Sequence, residues 1–116
     1  MDRTELEAYI TETYSTAGEQ PWMDTNTVFR HSRNRKWFAV ILDIPREKLG
    51  LSGSGILSVV NVKCDPRLIG SFREEPGIFP AYHMNKAHWL TLALDGSVED
   101  GKLKFLLDMS YALTKK

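Results

Sequence analysis

Eight consecutive residues hold most of the side chains in this chain that could do chemistry. They run from Tyr82 to Trp89 and contain two imidazoles, an amide, an ammonium group and two aromatic rings. An alternating apolar segment, residues 89–94, follows directly and is typical of a β-strand. Because a strand is a rigid scaffold, we predict that residues 82–89 present their polar groups for binding.

The two histidines of this segment, His83 and His88, do not by themselves predict a metal site. A bound metal ion needs a third or fourth ligand, and the single cysteine, Cys64, lies much earlier in the chain. A nucleophile–base pair of Cys64 and His83 is conceivable, but no third orienting group is recognisable by spacing. We therefore expect no metal, no cofactor, no catalytic residue and a buried, structural Cys64 in a non-enzymatic protein.

The polar residues of the segment are expected to divide into two roles. We expect His83 and Asn85 to brace the turn through hydrogen bonds to nearby backbone, because buried polar groups find partners. Lys86 and His88 are expected to face a binding partner. Trp22, Trp37 and Trp89 are expected in the core by default, and Trp89 could be half exposed and able to stack on a partner.

Positive charge is concentrated in a second short segment. The 116 residues carry 15 basic and 15 acidic side chains, and this zero net charge disfavours a nucleic-acid binder without excluding it. Residues 1–29 have a net charge of −5, and residues 30–36 one of +4. The arginines of residues 30–36 can reach phosphates, and the alternative is a solvated turn whose charge balances an acidic helix.

Hydrophobic spacing predicts eight elements in the order α-β-β-β-α-β-β-α. The predicted helices cover residues 4–14, a segment starting at Asp65-Pro66, and a last segment after Ser97. The predicted strands cover residues 27–30, 36–42, 56–64, 78–81 and 89–94. Residues 32–34 and 82–88 are predicted hairpin turns, and residues 45–55 a loop.

Two pairs of residues have the spacing of a helix capping box, namely Thr4 with Glu7 and Ser97 with Asp100. Hairpin strands with helices gathered on one face predict a single two-layer α+β domain over residues 1–116. No apolar run is long enough to span a bilayer, and the first residues do not form a secretory signal. With only one cysteine, we expect a cytoplasmic protein with no membrane contact.

Several motifs resemble the MmcQ/YjbR family of small bacterial cytoplasmic proteins, and together they cover nearly the whole chain. They are residues 61–66 (NVKCDP), 80–89 (PAYHMNKAHW), 94–96 (LDG) and 108–111 (DMSY). The resemblance implies an α-β(3)-α-β(2)-α two-layer sandwich with an antiparallel sheet, similar to the fold of type III secretion chaperones. It also implies DNA binding through a double wing, in which two hairpins reach the duplex.

Carried over to this chain, the resemblance places one wing at residues 30–36 and the other at residues 82–89. The partner implied is double-stranded DNA. A protein partner is the alternative, and we expect a monomer. The residues assigned to nucleic-acid binding are Arg30, Arg33, Arg35, Lys36, Lys63, His83, Asn85, Lys86, His88 and Trp89.

Two alternatives stay open. One is a protein-interaction module that receives a partner peptide on a sheet face or edge. The other is a small-ligand pocket, or an unrecognised enzyme, centred on His83, His88 and Lys86.

Overall fold

One antiparallel sheet of five strands organises the chain, in a computed structural model that describes residues 1–116. The strands are β1 (Thr27–Arg30), β2 (Trp37–Pro45), β3 (Ile56–Lys63), β4 (Ile78–Pro80) and β5 (Trp89–Ala93). Their order across the sheet is β1-β2-β3-β5-β4. The helices are α1 (Arg3–Tyr14), α2 (Ile69–Phe72) and α3 (Asp100–Thr114). The predicted element order and the α+β class are therefore confirmed.

The helices cover only one face of the sheet, which we call the helix face. The core there contains 18 buried residues, including Leu6 and Ile10 of α1 and Leu103, Leu106 and Leu107 of α3. Burial of this much apolar surface is the main force that holds the helices on the sheet. None of the helices is long and apolar enough to cross a membrane.

The opposite face of the sheet, the open face, carries a second and smaller apolar cluster. Its seven buried residues are Val28, Val40, Leu42, Ile44, Leu57, Val59 and Ala93. No helix lies over them. Tyr82 and the connection between β2 and β3 pack against this cluster instead, so the middle of the sheet is apolar on both sides.

Both predicted capping boxes are wrong in position. Asp2 caps α1, because its carboxylate accepts the backbone N–H of Glu5 at 2.9 Å while the Glu5 carboxylate accepts that of Asp2 at 3.0 Å. At α3, Glu99 is the N-cap and makes no side-chain cap hydrogen bond, whereas the Ser97 hydroxyl donates to Asp95. Each predicted cap has an acidic competitor nearby, Asp2 at α1 and Glu99 at α3, so spacing alone did not identify the cap.

Two connections also differ from the prediction. The Asp65 carboxylate accepts the backbone N–H of Arg67 at 2.9 Å and makes a turn, so α2 is a single helical turn that starts later, at Ile69. Within the predicted loop 45–55, Pro45 ends β2 and Arg46–Leu49 forms a 3₁₀ turn. Here Leu49 packs on the open face, which gives the loop an apolar anchor.

Candidate functional site

The two predicted wings lie at the same end of the sheet. Antiparallel pairing sets Ala39 of β2 opposite Val62 of β3, and Lys63 of β3 opposite Trp89 of β5. The turn before β2, the end of β3 and the turn before β5 therefore lie side by side at one end of the strands. The C-terminus of α3 joins them, because the Asn34 side-chain amide donates to the Thr114 carbonyl at 2.9 Å.

We call this end of the sheet the basic end and define it as residues 30–36, 63–67, 82–89 and 114–116. Its basic side chains are Arg30, Arg33, Arg35, Lys36, Lys63, Arg67, Lys86, Lys115 and Lys116, and its one acid is Asp65. The rest of the chain carries six basic and fourteen acidic side chains. Positive charge is thus concentrated at one end of the sheet in a chain whose net charge is zero.

The charges of the first turn are not equally available. Glu19 pairs with Arg30 at 3.2 Å and with Arg35 at 3.5 Å. The Lys36 ammonium group donates to the Lys116 carbonyl. Arg33 is exposed and has neither an ion pair nor a side-chain hydrogen bond, so it is the free cation of this turn.

His31 fixes the first turn to the helix layer. The ring is buried, and its Nε2 lies 2.7 Å from the Thr114 hydroxyl oxygen. It also packs against Tyr111, with the ring centroids 4.2 Å apart. Burial, assisted by the charges of Lys115 and Lys36, lowers the pKa of His31 from its ordinary value of 6.5. The turn is therefore held rigidly while its arginines point away from the core.

Asn85 organises the second turn, as the sequence predicts. Its side-chain oxygen accepts the Ala87 N–H at 2.8 Å, and its carbonyl accepts the N–H groups of His88 and Trp89 at 3.1 and 3.0 Å. The His88 carbonyl in turn accepts the Cys64 N–H at 2.8 Å. This backbone hydrogen bond ties the turn to the end of β3, and the His88 side chain remains exposed.

The expected role of His83 as a brace is wrong. Its imidazole is exposed and makes no hydrogen bond, and its ring stands edge-on to Tyr82 at 4.1 Å. His83 has a φ of 58°, a left-handed conformation that is uncommon outside glycine and is often found at functional sites. Lys86 is exposed and has no partner, in agreement with its predicted outward orientation.

Lys63 and Trp89 are half-buried neighbours at the strand ends. The Lys63 backbone N–H donates to the Ser110 hydroxyl at 2.8 Å. Beside them, hydrogen bonds and charge from Arg67 lower the pKa of Asp65 to about 2. The Arg67 charge is thus largely balanced within this turn.

Cys64 lies in the helix-face core and is 1 % exposed. Burial, with a smaller effect from Asp65, raises the pKa of its thiol above the ordinary value. A raised pKa and a buried sulfur both oppose nucleophilic chemistry. The predicted structural role agrees with this environment.

A cleft of about 500 Å³ lies on the open face and was not predicted. Its lining residues come from three separate segments and from the middle of β3: Trp22, Asn26, Trp37, Val40, Leu42, Asp43, Ile44, Pro45, Asn61, Tyr82, His83 and Met84. We call it the open-face cleft. Its volume is typical of small-ligand sites.

Two of the tryptophans expected in the core line this cleft. Trp22 is 47 % exposed and stands at right angles to half-buried Trp37, with ring centroids 5.7 Å apart. The Arg30 guanidinium lies 5.9 Å from the centre of the Trp37 ring. A core assignment by residue type failed because Trp is large and is seldom fully buried.

A closed set of hydrogen bonds shapes the cleft wall. Asn61 donates its side-chain amide to the Tyr82 carbonyl at 2.9 Å and accepts the Thr91 hydroxyl on its oxygen. The Thr91 oxygen accepts the Tyr82 N–H at 2.8 Å. Asn61 and Thr91 are fully buried, so the second turn is fixed across the open face with its polar groups satisfied. An asparagine within an apolar strand was the available sequence signal, because strands disfavour Asn.

Nowhere in the chain do three or more His, Cys, Asp or Glu side chains gather closely enough to hold a metal ion. The only carboxylate in the cleft, Asp43, pairs with Arg3 at 2.9 Å. The site thus combines an exposed basic edge with an aromatic, nearly uncharged cleft, an arrangement suited to binding.

Comparison with known proteins gives one consistent family. A family model described as YjbR matches residues 11–113. The uncharacterised protein YyaQ of Bacillus subtilis (strain 168) is 33% identical over 117 residues, which cover 99% of both chains. The uncharacterised Escherichia coli (strain K12) protein YjbR is 42% identical over 53 residues, 45% of each chain.

Solved structures agree with this result. A crystal structure of a Pseudomonas syringae protein has a TM-score of 0.96 and 42% identity, and covers 98% of this chain and 99% of its own. A Deinococcus radiodurans protein has a TM-score of 0.73 and 26% identity, and covers 99% of this chain and 79% of its own.

Proposed function

This chain belongs to the YjbR family, and from that premise we propose that it binds DNA, without catalysis, through the basic end. The observation that carries the proposal is the segregation of charge: nine basic side chains lie at one end of the sheet with only two acids, Asp65 and Glu19, among them. Phosphate neutralisation supplies much of the affinity in protein–nucleic acid complexes. The basic end therefore attracts a polyanion even though the net charge of the chain is zero.

Unpaired cations on two separate turns support the proposal. Arg33 of the first turn and Lys86 of the second are exposed and free of ion pairs, so phosphate contact costs them no existing partner. Arg30 and Arg35, by contrast, already share Glu19. We therefore assign the main phosphate contacts to Arg33 and Lys86, with the paired arginines contributing less.

The rigidity of both turns also favours binding. The buried contact of His31 with Thr114 holds the first turn, and the hydrogen bonds of Asn85 hold the second. Cations on pre-organised turns lose less entropy on binding than cations on flexible loops. Two such turns at one end of the sheet can contact phosphates on either side of a DNA groove.

The test is a titration of duplex DNA at about 50 mM and about 200 mM salt with the double variant Arg33→Ala/Lys86→Ala. We expect the wild type to bind at low salt and the variant to bind more weakly to all sequences. The slope of log affinity against log salt should fall by about two, roughly one for each lost phosphate contact.

The control is Arg46→Ala/Lys48→Ala, which removes the same charge from the connection at the opposite end of the sheet. We expect this variant to keep the salt slope of the wild type. Equal losses in both double variants would assign binding to overall charge and not to the basic end. Absence of duplex binding by the wild type at the lower salt concentration would overturn the proposal.

A further inference from the structure

We infer that the open-face cleft binds the base of an unpaired nucleotide whose phosphate lies against the basic end. The inference rests on the proposed function, because it takes the phosphate contacts as given and adds a site for the base. It names single-stranded nucleic acid, or a free nucleotide, as the ligand of the cleft.

The shape of the cleft suits a flat ring. Trp22 and Trp37 form one aromatic pair beside β1 and β2, and Tyr82 and His83 form another above β3 and β5. The floor between them is aliphatic, with Val40, Leu42 and Ile44 of β2. A planar ring placed on such a floor has aromatic side chains on both flanks, and stacking on aromatic side chains is how proteins bind unpaired bases of any sequence.

The position of the cleft supplies the charge. Trp37 directly follows the first basic turn, and His83 belongs to the second, which also carries Lys86. The cleft therefore reaches the basic end through Tyr82, His83 and Met84, and a phosphate attached to the bound ring would lie there. The Arg3–Asp43 ion pair of 2.9 Å balances the one carboxylate of the wall, so an anionic ligand meets no unpaired negative charge there.

Hydrogen-bonding groups are available at the rim. The His83 imidazole has no partner and lines the cleft, and the left-handed backbone at this residue, with a φ of 58°, sets its direction. Asn26 also lines the cleft, and its amide makes only a long contact of 3.4 Å with Asp24. An amide and an imidazole can pair with the polar edge of a base, whereas an acyl chain would leave both unused.

The test uses intrinsic tryptophan fluorescence and three ligands at low salt. They are a single-stranded oligonucleotide of about eight nucleotides, within the usual span of one binding domain, an abasic oligomer of the same length, and a duplex. We expect the oligonucleotide to quench the fluorescence and to bind about tenfold more tightly than the abasic oligomer. Titration with a nucleoside monophosphate then shows whether the cleft also accepts a free nucleotide.

Two pairs of variants locate the effect. Trp22→Ala and His83→Ala should remove the advantage of the oligonucleotide over the abasic oligomer. Trp22→Ala, which lies outside the basic end, should also leave duplex affinity unchanged. Their neighbours Met23→Ala and His88→Ala should keep it, because Met23 is 96 % exposed and neither residue lines the cleft. Thermal melts check that each protein is folded, and Trp22→Leu and His83→Gln replace a variant that is not.

The outcomes separate this inference from the proposed function. If no nucleic acid binds, both are overturned. If duplex and abasic oligomer bind but the bases add nothing, or if Trp22→Ala and His83→Ala leave the advantage intact, only the base site is overturned. A last titration uses a long-chain fatty acid. Quenching by this ligand and by no base-containing ligand would overturn the base site and assign the cleft to a different class of molecule.

Discussion

Asn61 illustrates how one polar side chain connects the sequence to the site. Its amide and the Thr91 hydroxyl, both fully buried, satisfy both backbone groups of Tyr82. A buried donor or acceptor without a partner costs free energy, so these bonds determine where the second turn rests. The chain's own pattern marks Asn61 only as an odd residue in an apolar strand, because its partners are far away in sequence.

His31 makes the stability of the protein depend on pH. Burial lowers its pKa below 6.5 in the folded state, so the folded ring stays neutral while the unfolded chain takes up a proton near pH 6.5. The unfolded state then binds more protons, and stability is complete above about pH 6.5 and is lost as pH falls. We expect the loss to begin near pH 6.5 and to level off below the lower pKa of the folded state, where His31 is protonated in both states.

Urea unfolding between about pH 7 and pH 5 measures this loss, in a window above the carboxylate pKa values. His31→Gln should lower stability at pH 7 and flatten the dependence. The control is His88→Gln, which replaces an exposed imidazole of the second turn and should leave the dependence unchanged. A His31→Gln protein that keeps the slope would trace it to another group.

At the scale of elements, four of the five strands were predictable, whereas β2 runs three residues beyond its predicted end and the helix caps were not predictable. Apolar alternation located β1, β3, β4 and β5 to within about one residue, because an apolar residue on the wrong face would lose its burial. A cap depends on one hydrogen bond. Asp2 with Glu5 and Thr4 with Glu7 have identical spacing, so only the fold of the chain before the helix decides between them.

The α1 cap gives a direct comparison of the two candidates. We expect Asp2→Ala to lower the free energy of unfolding by about 1 kcal/mol, because it leaves the Glu5 N–H without its acceptor. Thr4→Ala should change it by less than about 0.5 kcal/mol, since Thr4 is exposed and its side chain makes no hydrogen bond. Urea denaturation of both variants decides between them, and a larger cost at Thr4 would restore the spacing-based assignment.

The cleft could not be predicted from any local pattern. Its walls come from residues 22–26, 37–45 and 82–84, and they meet only because β5 inserts between β3 and β4 in the sheet. The sequence predicts the hairpin of β4 and β5 but not the pairing of β3 with β5. The cluster of basic residues at 30–36 is visible in the sequence. That Lys63, Lys86 and Lys115 lie beside this cluster depends on the strand order of the folded sheet.

The whole molecule is one sheet with two unequal faces, and two neighbouring residues of β2 lie on opposite faces. Ile41 is fully buried in the helix-face core, whereas Leu42 lies in the open-face cluster and lines the cleft. Truncating Ile41 leaves a closed cavity, so we expect Ile41→Ala to cost about 3–4 kcal/mol. Leu42→Ala only enlarges a cleft that already opens to water, so little free energy is lost to a new closed cavity. We therefore expect Leu42→Ala to cost about 1–2 kcal/mol.

Equilibrium unfolding in urea measures both costs, with equal m-values as the check that the unfolded states are comparable. The difference matters for function. If stability resides on the helix face, the open face can keep half-exposed tryptophans and an unpaired His83 without endangering the fold. If Leu42→Ala instead costs more than Ile41→Ala, the open-face cluster is part of the stabilising core. The main role of its residues would then be to stabilise the fold and not to bind a ligand.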